Sequence, residues 1–322
     1  MENTNSKILL SICIPTYNRA HVLKDTIEHI VQDPAFDKEV ELIISDNNSD
    51  DETQSVVESF MSTYSNIYYY KNEIDIGNRN FQQVLSYGKG EYLKLLNDYT
   101  YFGKGKLFFM KQAVREYQNS HASLFFFNKV KKKYRTEELL ECNSLDEFIQ
   151  RVSYTVTWIS NFGCWRSDFE RMEQKDRYVS YLLQQEEWIY KIVSCKKKAI
   201  IFPFQYLASE VMAGKSRGGY NYFKVHIENY YKIMLDFVRN GYLSEKVYKE
   251  DRRYTLWRFK RRFFRYLIYP NKRYLFDTEK SYEILWYYYR EFPEFYLVLF
   301  MMGVLFIVKS PYKLLKYLLN KG

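Results

Sequence analysis

Three short apolar runs in the first hundred residues end in polar clusters: Pro15-Thr16-Tyr17-Asn18, Ser45-Asp46-Asn47-Asn48 and Asn97-Asp98. Side chains of these types can accept or donate hydrogen bonds to a ligand, and a carboxylate can also ligate a hard cation or take up a proton. Farther along, Glu186-Glu187 stand together ahead of Trp188. Neighbours on a helix point about 100° apart, so only one of the two is expected to face a cleft. A glycine-bearing loop at 214–219 adds Lys215 and Arg217, two cations beside flexible backbone.

Such positions need a frame. Residues 7–14 form an apolar run broken by Pro15, and residues 20–31 set Val22, Leu23, Ile27, Ile30 and Val31 on one helical face. Residues 40–44, 66–71 and 91–96 read as further strands. Residues 52–64, capped by Asp50 or Asp51, and 78–87 read as the helices between them. Alternation of this kind predicts right-handed crossovers and a mostly parallel sheet flanked by helices, an α/β fold that binds ligands beyond the carboxyl ends of its strands. Past residue 103 the pattern blurs. Residues 107–117 and 145–152 look helical, 123–128 and 199–204 strand-like, and 220–240 with 244–267 form long helical patterns, so the last third is expected to be all-helical. The division expected is a ligand-binding domain over 1–217 and a helical C-terminal region over 218–322.

Several classes are excluded. Hydrophobic residues make up 47% of the 322, with only 12 Gly and 6 Pro, which rules out a disordered or collagen-like chain. No GxGxxG follows the first strand, which disfavours a dinucleotide-binding Rossmann domain, and Ser209 replaces the first glycine that a Walker loop ending in Gly214-Lys215-Ser216 would need. The cysteines form no CxxC pair and the histidines show no metal-ligand spacing. No signal peptide is read at the N-terminus, and a reducing cytosol is the expected setting. The 19% aromatic content suits a biased composition as well as a sugar-stacking surface formed by Trp158, Trp165 and Trp188.

Taken in order, these segments resemble the family 2 glycosyltransferases with the GT-A fold, particularly the abequosyltransferase-like branch of surface polysaccharide assembly. The opening Ser11-Ile12-Cys13-Ile14-Pro15-Thr16-Tyr17-Asn18-Arg19 is similar to that family's first strand and nucleotide loop, and VELIISDNNSDD over 40–51 to its second-strand signature. Asn72, Gly77, Asn80 and Gly90-Glu91-Tyr92 match the approach to its metal strand. Weaker similarity runs on through Ser160-Asn161, Trp165-Arg166, Glu186-Glu187-Trp188 and Gly218-Gly219-Tyr220-Asn221-Tyr222-Phe223.

The resemblance implies a nucleotide-sugar donor held by Pro15, Thr16, Tyr17, Asp46 and Asn80, against the plainer alternative that Asp46 only caps the turn after its strand. It implies Mg or Mn at Asp98 beside Asn97. Here the sequence departs from the family, for Asn97-Asp98-Tyr99-Thr100 keeps one acid of an Asp-x-Asp stretch. Where metal is lost, Lys215 and Arg217, with Arg79 behind them, are the cations expected to offset the diphosphate. Glu187 matches the general base of inverting members, with Glu186 its neighbour; a helix start rich in acids for its dipole is the plain alternative.

The charge is uneven. Residues 1–248 carry 32 basic and 32 acidic side chains, and residues 249–322 carry 16 and 7, the whole of the net +9. Residues 249–273 read as a basic amphipathic helix, and 295–308 run without a charge. Fourteen residues fall short of the roughly 20 that span a bilayer, so peripheral attachment to the cytoplasmic face of a membrane is expected, against a core-packing or dimerising helical hairpin. The function expected is inverting transfer of a sugar from a UDP-linked donor to a saccharide or lipid-linked acceptor. A catalytically inactive GT-A-like binding scaffold is the alternative, nucleic acid is not an expected partner, and a homo-oligomer stays open.

Overall fold

The computed structural model describes residues 7–120, 122–136, 138–196, 198–209, 217–268 and 274–319. The chain divides into two compact units, Met1–Ala213 and Gly214–Gly322. The first opens with β1 (Leu10–Thr16), α1 (Ala20–Val31), β2 (Val40–Asp46), α2 (Thr53–Met61), β3 (Ile67–Lys71), α3 (Arg79–Ser86) and β4 (Tyr92–Leu95). It continues with β5 (Thr100–Phe102), α4 (Lys106–Tyr117), β6 (Ser123–Phe126), β7 (Leu140–Cys142) and α5 (Leu145–Val152). It closes with β8 (Gly163–Trp165), α6 (Arg166–Arg171), α7 (Gln184–Cys195), β9 (Ala199–Phe202) and β10 (Leu207–Ser209).

The main sheet has the order β3-β2-β1-β4-β8, parallel except for β8, which runs antiparallel to β4. Every residue of β1 and β2 is buried, as expected of central strands covered on both faces, and this explains why they read as unbroken apolar runs rather than alternations. Pro15 does not end β1. The Cys13 carbonyl accepts from Leu96 N at 2.9 Å, so Pro15, two residues on, also faces the β4 side, beyond the last β1–β4 pair at Cys13 and Leu95. Its missing N–H therefore costs no ladder bond.

A polar clamp fixes the other end of the sheet. Glu41 on β2 is buried and accepts from Ser11 Oγ at 2.6 Å, Lys89 N at 2.6 Å and Gly90 N at 3.2 Å, tying β1, β2 and the entry to β4. Gly90 is required there, because a Cβ would stand 2.7 Å from Ser11 N. Beside the main sheet lie a three-stranded sheet, β6-β9-β7, and an antiparallel pair, β5 with β10. Asp51, one of the two expected caps of α2, serves two helices: it accepts from Thr53 N at 3.1 Å and from Ala20 N at 2.9 Å.

The second unit comprises β11 (Arg217–Asn221), a π-helical turn (Lys224–Asn229) leading into α8 (Tyr230–Arg239), and α9 (Glu245–Phe263), which ends in a second π-helical turn (Phe264–Ile268). Then come β12 (Tyr274–Asp277), α10 (Ser281–Tyr289) and α11 (Pro293–Leu319). The expectation of an all-helical last third is corrected here, since β11 and β12 pair in parallel. Tyr220, Tyr222 and Phe223 fit a strand or a helix by spacing, and the partner strand lies some fifty residues away. The expectation of a basic amphipathic helix is changed too. The apolar residues of α9, Leu256, Phe259 and Phe263, are the buried core of this unit, and Arg252 is turned inward to the Tyr288 carbonyl through Nε at 3.0 Å.

Candidate active site

The strand ends meet as the topology requires. In register, Thr16 at the end of β1 lies beside Asp46 at the end of β2, and the chain leaving β4 brings Asn97 and Asp98 to the other side. Asp98 is 5% exposed. Its Oδ1 accepts from Arg19 Nη1 at 2.9 Å, its Oδ2 from Thr16 Oγ1 at 3.2 Å, and its backbone carbonyl from Thr26 Oγ1 at 2.8 Å. Burial pushes the Asp98 carboxyl up, while the Arg19 guanidinium and the Thr16 hydroxyl pull it back.

Asp46 has no exposed surface; Ser49 N donates to one oxygen at 2.8 Å and the Tyr69 hydroxyl to the other at 2.5 Å. Burial and the adjacent Asp46 carboxylate push the Tyr69 hydroxyl far up, so it remains a donor. Asp46 thus shapes the turn after β2, as the alternative reading required. Each of its oxygens keeps acceptor capacity beyond the bond it carries. Tyr17 is 46% exposed at the tip of β1, an aromatic face open to a ligand, and Pro15 lies buried within the strand.

Asn80 is a clamp. Its Oδ1 accepts from Ser45 Oγ at 2.6 Å and Asn72 Nδ2 at 3.2 Å, and its Nδ2 donates to the Ser45 carbonyl at 2.8 Å. Asn72 reaches on to Asn47 Oδ1, which also accepts from Ile76 N, and Asn47 Nδ2 donates to Asp75. This network carries the β2 end across to the start of α3. There Gln184, the first residue of α7, donates to the Asn78 carbonyl at 2.8 Å, and Gln185 donates to the Thr157 carbonyl at 2.9 Å. Three residues past Thr157, Ser160 Oγ accepts from both the backbone N and Nδ2 of Asn97, each at 2.8 Å. The first turn of α7 is therefore tied to two of the three strand-end clusters.

Glu186 and Glu187 lie on that turn. Both have no exposed surface, because α7 is covered on more than one side, with 184–190 buried throughout, so burial does not single out the one expected to face a cleft. Glu187 Oε1 lies 3.1 Å from Lys191 Nζ and 3.8 Å from Arg177 Nη1. Lys215 lies outside the described residues, and Arg217 enters only as the backbone that opens β11. Trp188 and Trp165 are buried and donate to the Lys175 and Ala122 carbonyls, so neither offers a face for sugar stacking; Trp158 packs partly buried on the core.

Sequence reasoning gave no role to Arg19, Tyr69, Lys94 or Gln184. Arg19 was visible as the residue that follows the first polar cluster and closes the Ser11–Arg19 motif, and Lys94 as a lone cation between Leu93 and Leu95 in an apolar strand. Nothing local marks Tyr69, whose partner is 23 residues away.

The family model described as Glycosyl transferase family 2 matches residues 11–171, half of the chain and the part that holds all three strand ends. The chain belongs to that family. Over 120 residues the chain is 30% identical to the abequosyltransferase RfbV of Salmonella typhimurium, a match covering 37% of this chain and 35% of that one. It is 34% identical over 111 residues to the GalNAc(5)-diNAcBac-PP-undecaprenol beta-1,3-glucosyltransferase of Campylobacter jejuni, covering 33% of this chain and 35% of the relative. These matches span about a third of the relatives' length. Among solved structures, Staphylococcus aureus TarS 1-349 in complex with UDP-GlcNAc superposes with a TM-score of 0.52 at 17% identity, over 80% of this chain and 75% of that chain. The Pyrobaculum calidifontis mannosyltransferase PcManGT, in complex with GDP-Man and Mn2+, gives 0.51 at 12%, over 71% of this chain and 64% of that one. Both likenesses bear out the GT-A fold.

A divalent ion is known, then, in a neighbour of this fold, but the described residues do not fit one held by protein ligands alone. Among them no group of three or more His, Cys, Asp and Glu is gathered. Asp98 is the single acid of its stretch, both its oxygens already accept from Arg19 and Thr16, and Thr100 Oγ1 is turned to the Asn97 carbonyl at 3.0 Å. The positive charge beside Asp98 is a guanidinium.

Proposed function

We propose that this glycosyltransferase transfers one sugar, with inversion, from a UDP-linked donor to a saccharide acceptor carried on a membrane lipid, in the assembly of a cell-surface polysaccharide. The observation that carries the reading is the joining of Thr16, Asp46 and Asp98 at one sheet edge with Arg19 among them. Asp46, with Tyr17 next to its register partner Thr16, takes the base and ribose. Arg19 uses Nη1 on Asp98 and keeps further N–H donors for the diphosphate, whose charge grows as the bond from the sugar's anomeric carbon to phosphate oxygen breaks. The electron pair stays on that oxygen. The acceptor oxygen attacks the opposite face and gives its proton to Glu187, whose carboxylate keeps acceptor capacity beyond its ion pair with Lys191. The lipid-linked acceptor is supported by the name of the Campylobacter relative, and the UDP donor by the TarS complex.

Calorimetry with UDP, with and without Mn, followed by turnover with a panel of UDP-, GDP- and dTDP-sugars, tests the proposal. The expected result is UDP binding that metal changes little, and turnover that Glu187→Gln reduces by about two orders of magnitude. Failure of every donor to bind rejects it. The burial and ion pairing of Glu187 favour a second reading, a GT-A-like scaffold that binds nucleotide or glycan without transfer; binding without turnover under any metal selects that one. Peripheral attachment to the cytoplasmic face completes the proposal. No described helix is long and apolar enough to cross a membrane.

A further inference from the structure

With the apolar side of α9 spent on the core of the second unit, the outward apolar surface of that unit belongs to α10 and α11. Helix α11 is apolar on all sides along 295–307. One stripe, Phe295, Val298 and Met302, is buried, with Phe295 ringed by Trp286 and Tyr289 at centroid distances of 6.3 and 6.2 Å. The opposite stripe, Tyr296, Leu297, Phe300, Val304 and Ile307, faces outward, and Phe300 and Ile307 are each 69% exposed. Tyr282, Trp286 and Tyr287 of α10 are exposed as well, and between the two helices runs an apolar groove of about 540 Å³ whose lining includes Trp286, Phe295 and Leu299. A helix apolar all round belongs in a core or against lipid, and single exposed apolar residues do not make a continuous stripe of this kind.

We propose that this outward face of α10 and α11 docks on an anionic lipid bilayer, lying in the headgroup boundary rather than crossing it. Charge selects the occupant. The second unit's sequence from 249 onward carries 16 basic and 7 acidic residues, so a second copy would bring a unit of the same net sign, whereas an anionic leaflet brings the opposite. Some of that charge is spent internally, in the pairs Arg252–Glu291 and Arg253–Glu294, and the remainder exceeds the acids available. Tyr and Trp, apolar in body and polar at one edge, are the residue types that settle at headgroup depth. The buried stripe of α11 argues for lying flat, because crossing would strip Phe295, Val298 and Met302 from their neighbours. A helix with one apolar stripe packed on its own unit and the other open to the outside has the pattern of an interfacial helix.

The test uses the full chain sedimented with vesicles of phosphatidylcholine, with or without phosphatidylglycerol, at low and high salt. Binding roughly tenfold tighter to the anionic vesicles, weakened by salt, is expected. Phe300→Gln with Ile307→Gln should lower it by about tenfold more, and since both side chains point outward the melting temperature should stay near that of the wild type. Trp286 supplies a second readout, a blue shift of emission on the anionic vesicles that Trp286→Phe removes. Three results would overturn the proposal: no vesicle binding by the wild type, equal binding by the double variant, or a dimer that the double variant dissolves without any vesicle binding. None of these readouts needs a donor or acceptor sugar, so the surface stands or falls apart from the reaction.

Discussion

Lys94 sits inside β4 with no exposed surface, and its amine donates to the carbonyls of Ser160 at 2.5 Å and Phe162 at 3.1 Å. A neutral amine has two N–H groups, matching those two carbonyls; an ammonium adds a third and a charge that the interior resists. Burial accordingly brings the Lys94 pKa down from 10.5 to about 7. Between those two values the unfolded chain holds a proton that the folded chain has released, so stability rises with pH through that window and levels off on either side. At about 1.4 kcal/mol per pKa unit, the full swing is on the order of 5 kcal/mol, and roughly half of it falls between about pH 6 and pH 9. Lys94→Met keeps the length and apolar stem but cannot titrate. Urea unfolding of both chains at those two pH values should show the wild type gaining about 2–3 kcal/mol more than the variant on going to the higher pH. An equal gain in the two chains would refute the assignment. A functional effect should accompany it, because Ser160, held from one side by Lys94, orients Asn97 from the other; UDP affinity of the variant should fall several-fold at either pH.

The strand ends and the sheet base give two more expectations. Asp98→Asn keeps the shape but removes the charge that holds Arg19, so turnover should fall by about two orders of magnitude while UDP binding, read by calorimetry, changes much less; unchanged turnover would exclude Asp98 from the reaction. Gly90→Ala places a Cβ 2.7 Å from Ser11 N, a backbone atom that cannot swing aside. The clash and the disturbed Glu41 clamp should cost roughly 2–3 kcal/mol in a denaturant titration, with the donor site at the far end of the sheet little affected.

The first hundred residues were legible because β1, β2 and β4 are buried along their whole length and end in polar clusters, so hydrophobicity and polar punctuation mark the same boundaries. Helices 20–31 and 145–152 match α1 and α5 end to end, and the second is fixed by Ser144, which accepts from Glu147 N at its start. What stayed hidden depends on distant partners. Parallel pairing of β11 with β12 leaves no local signature, and the basic, aromatic run at 249–273 could not show that its apolar side was already taken by the core. The acid pair at 186–187 shows the same limit. Helical geometry says that two neighbours diverge, but only the coverage of α7 decides that both end up inside. Tyr69 and Lys94 act through atoms 23 and 66 residues distant.

Arg19 draws these strands together. It stands at the residue before α1, where the helix leaves backbone N–H groups unpaired, and Asp51 already satisfies one of them at Ala20. The corner is therefore electropositive by construction and is held in balance by two carboxylates, Asp98 on the guanidinium and Asp51 on the backbone. In the proposed donor complex a diphosphate arriving there would compete with Asp98 for one cation. Arg19 can serve both, since a guanidinium offers five N–H groups in a plane and Asp98 occupies one arm. A lysine would present a single ammonium that each anion would have to share. In this chain the acid that remains of the Asp-x-Asp stretch is paired with a guanidinium, and in the proposed reaction that fixed cation would face the charge that grows on the diphosphate.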